Sequence, residues 1–232
     1  MKKMSIIGMA LVAAMAVMAV TVASASAALP EFKTAAFPVT FTSENTLPLE
    51  PTLHSSVLGE KNVSCQMSKD SGEIASAKLV SKVAVTYTGC KEEGTSNPCT
   101  TTGQGTGTIV TKILKGRVGY LLPKSGVRSG IELEPAAGTV FAEFTCTGFA
   151  GKVTVEGCTI GEATPLNVSQ KTGELTFVEN AAKNAQLFVE IEGGLHKPCE
   201  QTVTASALKI KGKGWIMDKE VETFAANVEL KA

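Results

Sequence analysis

Six cysteines, Cys65, Cys90, Cys99, Cys146, Cys158 and Cys199, carry the clearest chemistry in this 232-residue chain. All lie beyond an apolar N-terminal run, and an even number in an exported chain reads as disulfides. Six cysteines allow more pairings than sequence alone can rank. Cys90 and Cys99 flank KEEGTSNP, a polar stretch whose Gly94 and Pro98 read as a turn, which suggests pairing them with each other. Cys65 and Cys146 each end an alternating stretch and suit a bridge between neighbouring strands, leaving Cys158 with Cys199. Zinc would need closely spaced ligands, and no C-x-x-C or H-x-x-x-H pair occurs, so structural disulfides are expected, with no metal and no cofactor.

Acid–base chemistry has few residues to draw on. Histidine occurs only at His54 and His196, and aspartate only at Asp70 and Asp218. This scarcity lowers the prior for calcium loops and for most hydrolytic sites. His54 stands beside Ser55 and Ser56, but adjacent residues seldom supply nucleophile–base geometry, and no G-x-S-x-G elbow is present. A glycosidase pair could be drawn from Glu132 with Glu143 or Glu190 with Glu192. Glu190 and Glu192 alternate with Val189 and Ile191, as the solvated face of a strand does. Gly103, Gly105 and Gly107 form GQGTG, which lacks the following Lys-Ser/Thr of a phosphate loop and reads as a turn or bulge. No residue is therefore assigned a catalytic or cofactor-binding role.

One stretch reads as a contact surface. In KIKGKGW, Lys209, Lys211, Lys213 and Trp215 fall on alternate positions, so on a strand they would share one face. Three cations and a ring could meet an acidic polymer or a phospholipid surface. The plainer account is an edge strand, whose exposed lysines block sheet-to-sheet association.

The elements that must position these residues are strands. Val83, Val85 and Tyr87 alternate with small or hydroxyl residues, and the pattern returns around Val153 and Val155, Leu175 and Phe177, Leu187 to Ile191, and Val228 and Leu230. Gly and Pro punctuate these runs, the signature of short strands in an all-β, Greek-key-like β-sandwich or barrel. Only Asn180 to Asn184 and Asp218 to Thr223 hint at short non-strand turns.

The N-terminus sets the compartment. Lys2 and Lys3 precede an uncharged run from Ile6 to Ala23, and Ala25-Ser26-Ala27 offers the small residues a signal peptidase accepts. Residues 1–27 are expected to form a signal-peptide helix, leaving 28–232 as a single secreted β domain with a sub-boundary conceivable near 165. No other apolar stretch is long enough to span a bilayer. The 22 Lys+Arg and 22 Asp+Glu residues balance without long runs, so no basic stripe suits nucleic acid.

The stretches YTGC (87–90), PCT (98–100), GTIVTKILKGRVGYL (107–121), IELEP (131–135), FAEFTC (141–146) and CTIGEATPLN (158–167) resemble a large group of uncharacterised exported proteins found in many copies in some soil actinobacteria. In that group the cysteines before G-x-I-V and after F-A-E-F recur, whereas Cys158 and Cys199 depart from its pattern. The resemblance implies exported β structure and no known activity. The expectation is thus a secreted, non-enzymatic protein of the cell exterior. Its role would be structural or ligand-binding, its partner a cell-wall or extracellular polymer, or a second copy joined by strand addition. The alternative is an extracellular hydrolase using a Glu pair or an unrecognised Ser.

Overall fold

Val39, Phe41 and Ser43 turn inward while Thr40, Thr42 and Glu44 face solvent, and this alternation, repeated strand after strand, builds the molecule. The computed structural model describes residues 29–58, 62–122, 128–148, 151–177, 179–180, 185–186, 188–190, 196–197, 199–206 and 209–232. The expected signal peptide, residues 1–27, lies outside the described residues.

The chain begins with β1 (Glu31–Lys33), β2 (Val39–Asn45), β3 (Thr52–Ser55), β4 (Val63–Ser64), β5 (Met67–Ile74), β6 (Leu79–Thr88) and β7 (Lys91–Glu92). It continues with β8 (Cys99–Thr100), β9 (Ile109–Val110), β10 (Leu114–Leu122), β11 (Ser129–Pro135), β12 (Val140–Cys146), β13 (Lys152–Gly157) and β14 (Thr159–Thr164). Then follow β15 (Gln170–Phe177), β16 (Glu179–Asn180), β17 (Ala185–Gln186), β18 (Phe188–Glu190), β19 (His196–Lys197), β20 (Gln201–Ala205) and the long β21 (Ile210–Lys231). The described residues contain no helix, so the fold is all-β as expected.

Of the two expected architectures, the barrel is the one found. Eight strands close in the order β2, β5, β6, β10, β11, β14, β15, β21 and back to β2, every neighbour antiparallel. Closure pairs the backbone groups that an open sheet would leave at its edges. A second sheet runs β8, β12, β13, β20, β21, β3, β4, β7, and its two ends meet at a bridge between Lys91 and Pro98; of the remaining strands, β1 pairs with β21, β9 with β6, β18 with β10 and β19, and β16 with β17. β21 belongs to both: Ile210 to Met217 pair in the second sheet, and Asp218 to Phe224 together with Val228 pair in the barrel. One apolar cluster runs through the two, from Phe32 and Val39 to Phe141, Val153 and Val203.

Irregularities keep the apolar face inward. On β6, Val80 and Val83 are both buried although three residues apart, because β6 carries one extra residue between its pairings to Ser71 and Glu73. Lys82 takes φ 56° there, and the bulge restores the inward phase for Val83, Val85 and Tyr87. The GQGTG segment is a turn, with Gly103 and Gly107 at positive φ and Thr101 accepting a bond from the Gln104 amide.

The disulfides are Cys65–Cys90, Cys99–Cys146 and Cys158–Cys199. The third is as expected; the first two correct the pairings Cys90–Cys99 and Cys65–Cys146. Cys90 and Cys99 are neighbours, but through the backbone, the Cys99 amide donating to the Cys90 carbonyl at 2.9 Å. Each sulfur is taken by the strand on its other side. Cys65 continues the β5–β6 register opposite Cys90, and Cys146 pairs directly with Cys99 across β8 and β12.

Asp218 to Thr223, expected as a turn, lies in the middle of β21. The segment 180–184 lies mostly outside the described residues.

A carboxyl-lined barrel interior and an outward aromatic face

β21 inverts the usual rule of alternation. Along Met217-Asp218-Lys219-Glu220-Val221-Glu222, the acids point into the barrel and Val221 sits on the outer face. Two other strands, β2 and β5, complete a polar belt. Ser43 on β2 pairs with Asp70 of β5 on one side and with Glu222 of β21 on the other. Ser68, the next inward residue of β5, donates its hydroxyl to Asp218 at 2.7 Å, and the Lys219 amide donates to the same carboxylate at 2.7 Å. Asn45, opposite Glu220, accepts the Ser68 amide at 3.0 Å. Asp70, Asp218, Glu220 and Glu222 are all buried, and carboxylate oxygens of Asp70, Glu220 and Glu222 lie within 4.8 Å of one another.

Burial dominates the electrostatics. It pushes Asp218 up from its ordinary 3.8 to about 6, against the opposing bonds from Ser68 and Lys219. Glu220 is raised well above the usual range, first by burial and then by the charges of Asp70, Asp218 and Glu222. Glu222 is raised by burial and by Asp70. Asp70 is raised by burial, partly offset by the Ser43 hydroxyl and by Glu220. The Tyr87 hydroxyl is held up by burial, then by the charges of Glu220, Asp218 and Asp70. No cation contributes to any of these shifts; the groups answer only to burial, to one another and to hydrogen bonds.

The belt separates two cavities. One, of about 60 Å³, is walled by Phe32, Phe41, Ile74, Val83 and Leu175, reaches Asp70 and Glu222, and extends to the exposed Thr172 and Val168 at the barrel mouth. Gly173 stands opposite Glu222 on β15, so β15 contributes no side chain beside that carboxylate, and the Phe224 ring packs against the glycine. The other, of about 40 Å³, is apolar and lies among Leu53, Val63, Tyr87, Phe144 and Ile216.

The outer surface holds the residues expected to share a face. Lys211, Lys213 and Trp215 do alternate outward on β21, because Gly212 and Gly214 occupy the inward positions, where Val57 and Val203 leave no room for a side chain. Lys209 precedes the strand with φ 53°. The edge-strand account holds for the lysines and not for the ring: Ile210 to Lys213 pair with β20 and are joined on the other side only by Ser56 at Lys213, whereas Trp215 to Met217 pair with β3. His54 of β3 lies directly opposite Trp215, and their rings stack with centroids 5.3 Å apart and planes 5° from parallel. Ser56 holds the backbone of Lys213 beside them, its hydroxyl donating to the Lys213 carbonyl at 3.2 Å and accepting the Lys213 amide at 3.0 Å. Lys211 pairs with Glu156 at 3.1 Å, while among the described residues Lys213 has no ion-pair partner.

Of the carboxylate pairs considered from sequence, Glu132 and Glu143 do not converge. Glu143 faces outward to Lys152 at 2.6 Å and Lys112 at 3.8 Å, whereas Glu132 is buried within 4.8 Å of the Cys158 and Cys199 sulfurs. Glu190 lies on β18 and His196 on β19, and Glu192 lies outside the described residues. The carboxylates that do converge, Asp70, Asp218, Glu220 and Glu222, were missed, because Asp218 to Thr223 was expected as a turn and not as a strand with its acids facing inward. Comparisons with protein-family models, curated proteins and solved structures find no match.

Proposed function

We propose that this chain is an exported, non-enzymatic β-barrel protein of the cell exterior that binds an anionic wall or extracellular polymer through the outer face of β21. The observation that carries this reading is the His54–Trp215 stack set in line with Lys211 and Lys213. An aromatic plane beside a row of cations suits a polymer with ring or chain surfaces and regularly spaced acidic groups. The three disulfides support an oxidising location outside the cytoplasm. Because the eight-strand ring is closed, self-association by strand addition would have to use a strand outside it, such as β1.

The rival, a hydrolase working through paired carboxylates, draws on the convergence of Asp70, Glu220 and Glu222. Those groups are buried inside the closed barrel and do not face each other across an open cleft, which favours binding over turnover. Co-sedimentation with isolated bacterial walls tests the proposal. Retention at low salt, release at high salt and loss in Lys213→Glu and Trp215→Ala are expected; salt-independent retention, or none, overturns it.

A further inference from the structure

We infer that Asp70, Glu220 and Glu222 form the binding site of an oxygen-seeking divalent cation of the calcium class inside the barrel. Clustered carboxylates alone would not carry this, but Glu222 adds a separate observation. It is 4% exposed, its two oxygens have no hydrogen-bond partner, and it borders the cavity together with Asp70, one oxygen of which is equally unpartnered. A buried carboxylate left without any donor loses the hydration it had in water and gains nothing in its place. A cation returns that interaction to all three groups at once.

The geometry fits a large, hard ion. Oxygens sharing one calcium at about 2.4 Å lie no more than roughly 4.8 Å apart, and those of Asp70, Glu220 and Glu222 lie within 4.8 Å of one another. Three side chains supply fewer than the six to eight oxygens such an ion takes, and the adjoining cavity of about 60 Å³ has room for water to complete the shell. The mouth near Val168 and Thr172 gives a route in. Magnesium demands a tighter octahedral shell and dehydrates reluctantly, which favours the larger ion.

The site is independent of the outer face of β21, so polymer binding and cation binding can fail separately. The test is calorimetric titration of the full secreted protein, stripped with chelator, with calcium chloride near neutral pH. The expected result is one saturable site per chain, proton release on binding, and affinity lower by about tenfold or more in Glu222→Gln and Asp70→Asn. Glu143→Gln, on the outer surface, leaves the affinity unchanged. These amide variants remove buried charge, and their melting curves establish folding before titration. Absence of heat with calcium, manganese and magnesium alike, or binding that survives both Glu222→Gln and Asp70→Asn, overturns the inference. Stabilisation by acid without any response to cations overturns it as well, since the carboxyls would then be held by protons alone.

Discussion

Asp70 and Glu222 face each other across Ser43 inside the barrel, their carboxylate oxygens within 4.8 Å. The groups that meet there are Tyr87 from β6, Asp70 from β5, and Asp218, Glu220 and Glu222 from β21, while Glu174 of β15 lies opposite the outward Val221 and pairs with Lys219 at 3.1 Å. β2 adds only the uncharged Ser43 and Asn45. Every shifted acid in the belt is raised in the folded state. The stability from these groups is therefore full below their ordinary values near 4 and is lost as pH rises through about 6 for Asp218 and higher for Glu220 and Glu222. For Asp218 alone the loss is on the order of 3 kcal/mol. Thermal melts in chelator are expected to show Tm falling from pH 4 to pH 8; a rising or flat profile contradicts this.

Glu220→Gln isolates the same effect in one residue. With burial and three neighbouring charges opposing ionisation, the amide is expected to raise stability at pH 8 by about 1–4 kcal/mol and to change it little at pH 4. Denaturant unfolding at the two pH values measures the difference.

The disulfide pairs differ in what they join. Cys99–Cys146 ties β8 to β12 in the second sheet, and Cys65–Cys90 closes the open end of the β5–β6 hairpin. Non-reducing peptide mapping should recover these two links and Cys158–Cys199, with no Cys90–Cys99 peptide. Replacing Cys99 and Cys146 together by Ala is expected to cost about 2–5 kcal/mol.

Phe141 is 2% exposed and lies where the core continues between the two sheets. Phe141→Ala should cost about 3–5 kcal/mol in a single cooperative unfolding transition. Two separate transitions would show that barrel and second sheet unfold independently.

How far the sequence reached depends on which rule each residue obeys. Val83, Val85, Val153 and Val155 follow apolar-in alternation, so their strands and faces were legible. The shared face of Lys211, Lys213 and Trp215 was legible too, but its place in the sheet was not, because pairing with β3 and β20 depends on segments distant in sequence. Cys158–Cys199 emerged by elimination. The pairings of Cys90 and Cys99 did not, since a short turn brings their backbones together while each sulfur turns to another strand. The acidic belt was invisible because Asp218, Glu220 and Glu222 fall in a stretch expected as a turn. Only the register of β21 against β2 and β15 reveals them as inward.

Trp215 is the only tryptophan in the chain, so intrinsic fluorescence reports the proposed contact face without labelling. The most direct measurement is a fluorescence titration of the secreted protein with a soluble anionic polysaccharide at low salt. The account predicts saturable quenching or a spectral shift that high salt reverses and that Lys211→Glu combined with Lys213→Glu abolishes. Unchanged Trp215 emission, in a sample shown by sedimentation to bind the polymer, would place the contact elsewhere and contradict the account; so would the absence of binding altogether.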